Sequence, residues 1–230
     1  MWSNKRVSSK GDAILVFSKG SDPANVKTRL HDFVTPEQRF ELHLAFLQDT
    51  LEKTRHLPYP TYLYVMGSAH FPFQYDLPVY QQEGADLGAR LCNAFKYIFE
   101  RHDRAVVIGT DSPDLPAERI QLALEKLRET DIVLGPTEDG GYYLLGLSQM
   151  IPAIFEDISW GSDRVLQQTL ERSRNFKVSL LEPHYDVDVI EDLVRLRKNL
   201  QLTETVAPHT KEWFARNSFK QDDTPQSDQG

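Results

Sequence analysis

The stretch Ala105-Val106-Val107-Ile108-Gly109-Thr110-Asp111-Ser112-Pro113-Asp114-Leu115-Pro116 is a short apolar run that passes directly into glycine, hydroxyl, carboxylate and proline. A continuous apolar run of this length is the pattern of a strand covered on both faces, as in a parallel sheet. Residues just beyond the carboxyl end of such a strand lie where α/β sheets bind ligands, so Asp111 is the first residue to explain. A hard carboxylate oxygen at that place suits a metal ion bridging phosphates. Asp-Ser-Pro-Asp is equally good turn chemistry, with Asp114 starting the next helix, and the residues alone leave both readings open.

The same pattern repeats on either side. Ala13-Ile14-Leu15-Val16-Phe17 predicts the first strand. Thr35-Pro36-Glu37-Gln38 supplies an N-cap, a proline in the first turn and a capping-box glutamine ahead of Phe40, Leu44, Leu47 and Leu51 at helical spacing. Residues 61–66 read as a strand, and a Pro- and aromatic-rich connection leads to a helix marked by Leu87, Leu91, Phe95 and Ile98. After the central strand come a helix (Ile120, Leu124, Leu127), strands at 132–134 and 142–147, a helix at 165–170, a strand at 178–181 and a helix carrying Ile190, Leu193, Val194 and Leu196. This alternation predicts an α/β, three-layer fold, a mostly parallel sheet with helices on both faces.

Composition sets the outer limits. At 230 residues, 40% apolar and 26% charged with 12 glycines, the chain has ordinary globular usage and suits one α/β domain with tails. No run approaches the ~18 apolar residues of a membrane span, and residues 1–10 are polar and basic with no apolar segment behind them. A cytoplasmic protein is the expectation. A single cysteine, Cys92, allows neither an internal disulfide nor a thiolate zinc cluster, so any metal must be held mostly by oxygen or imidazole, and the seven histidines show no metal spacing. A net charge of −8 argues against a general nucleic-acid surface, which needs a continuous basic patch.

Basic residues are nevertheless grouped after the first strand: Lys19, then Lys27 and Arg29 in Val26-Lys27-Thr28-Arg29-Leu30. They suit a diphosphate, or they are solvated surface charge. Neither Gly-x-x-x-x-Gly-Lys-[Ser/Thr] nor Gly-x-Gly-x-x-Gly is present, which argues against a P-loop NTPase and a standard dinucleotide-binding dehydrogenase. In Asp139-Gly140-Gly141-Tyr142-Tyr143 the glycines admit a ligand to the backbone or make a hairpin turn, and Asp139 is the residue a turn does not require. Asp86 and Gly88 open a helix whose free amides suit an anion, although Asp86 also reads as its cap. Asp186 and Asp188 alternate in an extended segment, so a regular strand would send only one of them to a cleft, leaving the other structural or, for Asp188, a helix cap.

Taken in order, these residues resemble a family of small bacterial GT-A-type nucleotide-diphospho-sugar transferases, relatives of the molybdenum-cofactor and phospholactate nucleotidyltransferases. The resemblance rests on Lys19 with Val26-Lys27-Thr28-Arg29-Leu30, Gly84-Ala85-Asp86-Leu87-Gly88-Ala89-Arg90, Gly109-Thr110-Asp111-Ser112-Pro113-Asp114-Leu115, Asp139-Gly140-Gly141-Tyr142-Tyr143-Leu144-Leu145-Gly146-Leu147 and Asp186-Val187-Asp188-Val189-Ile190-Glu191-Asp192-Leu193. It covers roughly residues 12–200. The chain departs from the family pattern at Gly20-Ser21-Asp22-Pro23-Ala24-Asn25, where Ala24 replaces a family glycine and Asp22 adds negative charge near the presumed anion.

Loss of periodicity and polar composition predict a partly disordered tail at 203–230, and residues 1–11 are expected to be a flexible segment. The resemblance implies a GT-A-like nucleotide-binding domain at 12–202. It implies Mg²⁺ or Mn²⁺ held by Asp111 and Asp188, with Asp186 beside them, and phosphate contacts from Lys19, Lys27 and Arg29 with Asp86 and Gly88. Gly140, Gly141 and Tyr142 would contact substrate, Asp139 would orient or deprotonate the acceptor, and Trp160 is either acceptor-side or a buried indole. The implied activity is glycosyl transfer from a nucleotide-diphospho-sugar to a small-molecule acceptor. Nucleotidyl transfer with release of pyrophosphate, or a catalytically silent nucleotide-binding module, are the alternatives.

Overall fold

The computed structural model describes residues 10–203 and 206–219. Among these, seven strands form one sheet: β1 (Asp12–Lys19), β2 (Thr61–Met66), β3 (Val79–Gln81), β4 (Arg104–Ile108), β5 (Ile132–Pro136), β6 (Tyr142–Leu147) and β7 (Val178–Leu180). The α-helices are α1 (Pro36–Arg55), α2 (Leu87–Phe99), α3 (Ala117–Lys126), α4 (Val165–Arg172), α5 (Ile190–Gln201) and α6 (Pro208–Arg216). The spatial order is β3-β2-β1-β4-β6-β5-β7, and every pairing is parallel except those of β6 with β4 and β5. The expected α/β, mostly parallel, two-faced sheet is what the chain adopts.

Residue alternation along β1 explains the three layers. Ala13, Leu15 and Phe17 pack on one face with Leu91, Phe95 and Ile98 of α2, while Ile14 and Val16 pack on the other with Leu47 of α1 and Ile120 and Leu124 of α3. With both faces covered, β1 is apolar almost throughout. The chain winds outward from β1 to β3, then crosses back to β4 and continues the other way. Strand order therefore reverses between β1 and β4, so the loops leaving these strands part and open a crevice at their carboxyl ends.

The capping box that starts α1 forms as its residues predict: Gln38 N donates to Thr35 Oγ1 (3.2 Å) and Thr35 N to Gln38 Oε1 (2.8 Å). The helix is buried on more than the expected stripe, because Leu42, Ala45 and Phe46 meet a third apolar cluster on the side away from the sheet. That cluster joins Leu30 after β1, Tyr185 and Val187, the apolar face of α5, and Trp213 and Phe214 of α6. It fixes the segments bearing Arg29 and Asp188 relative to one another.

Two expectations are corrected. The connection after β2 contains β3, a three-residue edge strand too short to show periodicity. The domain does not stop at residue 202: residues 206–219 join the core, and Trp213 is 1% exposed. The helix that places it, α6, has few apolar residues and takes its cap from elsewhere, since Asp49 of α1 accepts from His209 N and Thr210 N, both at 2.9 Å. The flexible segment expected at 1–11 lies outside the described residues except for Lys10 and Gly11, as do residues 220–230 of the expected tail. No helix among the described residues is long and apolar enough to cross a membrane.

Candidate active site

A cleft of about 520 Å³ lies over the crevice between β1 and β4. It is lined by Lys19 at the end of β1, Met66 at the end of β2, the 109–112 segment after β4, Tyr142 at the start of antiparallel β6, and the first turns of α2. Lys27, Arg29, Asp111, Asp186 and Asp188 also line it, so the segments after β1, after β4 and before α5 contribute to one site.

The path after β1 decides what its cations do. Gly20 packs so close to the Met66 and Ser68 carbonyls that a Cβ would collide with them. Ser21 N donates to Ser68 O, and Asp22 caps a short 3-10 turn, Pro23–Asn25, by accepting from Ala24 N. The chain then enters the left-handed region at Lys27 (φ 46°, ψ 40°), a conformation costing a non-glycine residue about 1 kcal/mol. This turn drives the Lys27 side chain inward, where it is 4% exposed. Its Nζ donates to Asp111 Oδ1 (2.5 Å) and Val187 O (2.8 Å) and lies 4.5 Å from the centroid of the Phe46 ring. Lys27, expected to contact phosphate, is here engaged as an internal counter-ion tying three segments together. Arg29 is the opposite case, 66% exposed and 3.1 Å from Asp188 Oδ2.

The acids form a crowded group. Burial pushes Asp111 up, but the charge and hydrogen bond of Lys27 outweigh it and hold the carboxyl below its usual range. Lys27 occupies Oδ1, and the side chain is still 46% exposed to the cleft. Burial, reinforced by the charges of Asp111 and Asp139 and opposed by a Ser112 hydroxyl 2.6 Å away, raises Asp186 to about 6. Asp188 is raised by burial and by Asp111, against the pull of Lys27 and Arg29. Both acids of the Asp-Val-Asp segment line the cleft, contrary to the expectation of one, because the segment is not a regular strand. Nor does Asp188 cap α5. Asp192 does, accepting from the Asp188 and Val189 amides (both 3.0 Å), which leaves the Asp188 side chain to the cleft.

The two acidic loops are laced from behind. Val187 N donates to Asp111 O (2.8 Å), and the Ser112 hydroxyl lies 3.0 Å from Tyr185 O. Tyr185 Oη donates to Asp114 Oδ2 (2.5 Å), and His184 Nε2 lies 3.1 Å from its Oδ1. Asp114 thus joins the loops rather than starting α3, whose N-cap is Pro116.

Several expected site residues have other employment. Asp139 Oδ1 accepts from Thr137 Oγ1 (2.5 Å) and Gly141 N (3.1 Å), so the carboxylate builds its own turn, and it is not among the residues lining the cleft. Gly140 adopts φ +89°, and a Cβ there would meet the Asp163 backbone. Gly88 has no room for a Cβ because the Trp160 indole lies against it, and Asp86 caps α2 by accepting from Ala89 N (2.8 Å). None of Asp86, Gly88, Gly140 and Gly141 lines the cleft, whereas Tyr142 does. Trp160 packs edge-on to Tyr142, ring centroids 6.4 Å apart, partly buried against the core.

Sequence reasoning gave no site role to His43, Gln82 or Arg90, all of which line the cleft. His43 Nε2 lies 3.2 Å from Lys19 O, which makes it the protonated nitrogen, and burial lowers the ring pKa to about 4. Gln82 follows β3 at the same end of the sheet, so recognising that edge strand would have pointed to it.

Whether these acids suit a divalent ion turns on their number. Among the described residues no group of three or more His, Cys, Asp or Glu has metal-holding geometry, so a site here draws on fewer protein ligands. Mg²⁺-type ions are commonly bound by one or two carboxylates with substrate phosphates completing the shell. Asp111 and Asp188, each half-exposed to one cleft with one oxygen on a cation, fit that arrangement, while Asp186 is held by Ser112.

Comparison with known proteins agrees with this architecture. A crystal structure from Desulfovibrio desulfuricans G20, provisionally named a nucleotide-diphospho-sugar transferase, is 32% identical, covers 91% of this chain and 95% of its own, and superposes with a TM-score of 0.84. The chain belongs to that family. Residues 55–162 match the family model described as an uncharacterized protein conserved in bacteria, DUF2064. The chain is also similar to the 2-phospho-L-lactate guanylyltransferase of Methanobrevibacter ruminantium, 23% identical over an alignment of 201 residues that covers 79% of this chain and 84% of the relative. The manganese complex of Rv0371C from Mycobacterium tuberculosis H37Rv shares the fold, with 17% identity, a TM-score of 0.52, and coverage of 82% of this chain and 98% of that one. Like its relatives, this family member is a transferase of the nucleotidyl- or nucleotide-sugar-transferase type.

Proposed function

We propose that the protein is a metal-dependent transferase that takes a nucleotide-diphospho-sugar donor and passes the glycosyl group to a small-molecule acceptor. The observation that supports this most is the meeting of Asp111 and Asp188 with Lys19 and Arg29 at one cleft over the strand-order reversal. Mg²⁺ or Mn²⁺ bound there would neutralise the diphosphate leaving group. Asp111 and Asp188 hold the ion, Lys27 orients Asp111, and Arg29 and Lys19 remain on the exposed side to share phosphate charge. Arg29 moves at little cost, because an exposed ion pair such as that with Asp188 contributes only about 0–1 kcal/mol. A cytoplasmic location belongs to the same proposal.

Nucleotidyl transfer is the second reading, and the likeness to a guanylyltransferase favours it. Against it stands the 20–25 segment, folded onto Ser68 and capped by Asp22 rather than shaped as a glycine-rich wrap for a triphosphate. Product analysis with Mn²⁺ decides. Release of a nucleoside diphosphate from a nucleotide-sugar is expected, whereas release of pyrophosphate from a nucleoside triphosphate would transfer the assignment to the second reading.

A further inference from the structure

On the β2–β3 side of the cleft, the structure holds a side-chain amide whose orientation is determined by its neighbours. Gln82 Nε2 donates to both Ser18 O and Tyr64 O, each at 3.0 Å, and its backbone N donates to Val65 O at 2.9 Å. Two carbonyl acceptors require the nitrogen on their side and take both of its hydrogens. The oxygen, Oε1, is therefore the atom left for the cleft that Gln82 lines, a fixed acceptor of N–H or O–H donors. Arg90 comes to the same place from α2. Its Nε donates to Gly84 O (3.2 Å) and its Nη1 to Met66 Sδ (2.8 Å), so the guanidinium is anchored to the end of the strand that also holds Gln82, with donors remaining. Leu87, 41% exposed at the start of α2, lines the cleft with Met66, Leu91 and Phe17 and supplies apolar walls.

Apolar walls with one fixed acceptor and one donor-only cation suit the edge of a flat heteroaromatic ring. We infer that this part of the cleft is a nucleobase slot in which Gln82 Oε1 accepts a ring N–H and Arg90 donates to the adjacent carbonyl, selecting oxo bases over amino bases. Guanine and uracil present a carbonyl oxygen beside a ring N–H. Adenine and cytosine present an exocyclic amino group beside a bare ring nitrogen, which turns a donor toward the arginine or forces the ring to shift. Arginine donates readily to a base carbonyl, as it does to guanine O6 in nucleic-acid complexes. The inference deepens the proposed function and rests on it for the presence of a nucleotide.

The test measures dissociation constants of GDP, UDP, ADP, CDP and inorganic pyrophosphate for the full chain with Mn²⁺, by calorimetry, in wild type, Gln82→Leu and Arg90→Met. Expected is binding of GDP or UDP at least tenfold tighter than of ADP and CDP, the comparison of the first two telling purine from pyrimidine. Each variant should compress that preference to within threefold while leaving pyrophosphate affinity unchanged. A general loosening of the cleft would instead weaken all four nucleotides together and preserve their ratios. Tightest binding of ADP or CDP, no preference in wild type, or an unchanged preference in the variants would each overturn the slot. Failure of wild type to bind pyrophosphate with Mn²⁺ would strike at the phosphate end, and so at the proposed function itself. If Gln82→Leu does not fold, Arg90→Met carries the same expectation, because its side chain is only partly buried.

Discussion

At the scale of the residue, the site separates two basic side chains that are two positions apart. Lys27 is buried and holds Asp111 and Val187, while Arg29 is exposed and meets only Asp188 in the described contacts. Replacing Lys27 with Met leaves the Asp111 carboxylate and a carbonyl without their donor, so a loss of about 1–3 kcal/mol in folding stability is expected, measurable by urea denaturation. Arg29→Gln should change stability by less than about 1 kcal/mol. That variant should nonetheless weaken Mn²⁺-dependent binding of a nucleoside diphosphate by about tenfold, through loss of a charge-assisted phosphate contact. The residue types of the site were legible in the sequence, but not this division of roles. Lys-x-Arg carries no mark of a left-handed turn at the lysine. For the same reason Asp139 read as a free acid, since only the backbone path shows that Thr137 and Gly141 occupy it.

At the scale of the element, strands buried on both faces and helices with local caps were legible because their signals lie within a few residues of each other. α6 was not, since its cap, Asp49, stands on α1. Asp49→Ala would strand buried amide donors at the start of α6, costing about 2 kcal/mol. Hydrogen exchange should show protection lost in 208–216 while the sheet stays protected; uniform loss or no change would contradict this latch. Gly140 makes a second case, because its φ of +89° and the neighbouring Asp163 backbone both exclude a side chain. Gly140→Ala should lower the melting temperature by several degrees, corresponding to more than about 1 kcal/mol. Gly161 has φ +82° with open space where a Cβ would lie, so Gly161→Ala carries the backbone penalty alone and should cost less.

At the scale of the whole molecule, the parts of the cleft are contributed by segments from residue 17 to residue 188, so their chemistry depends on the fold remaining intact. His43 links that fold to pH. Its folded pKa of about 4 lies below the ordinary 6.5 because burial disfavours the imidazolium. Between those values the unfolded chain binds more protons at this site, so the His43 contribution falls as pH drops from about 6.5 toward 4, by on the order of 3 kcal/mol, while Asp186, raised to about 6, acts in the opposite sense. His43→Gln, which can still donate to Lys19 O, should therefore gain stability relative to wild type by about that amount between pH 6.5 and 4. The central claim is that Asp111 and Asp188 hold one divalent ion together with a diphosphate. Calorimetric titration of a nucleoside diphosphate, with Mn²⁺ and with chelator, into wild type, Asp111→Ala and Asp188→Ala tests it most directly. Mn²⁺-dependent binding in wild type that falls by about 100-fold in each folded variant is the predicted result; variants that bind with wild-type affinity in Mn²⁺ would contradict it.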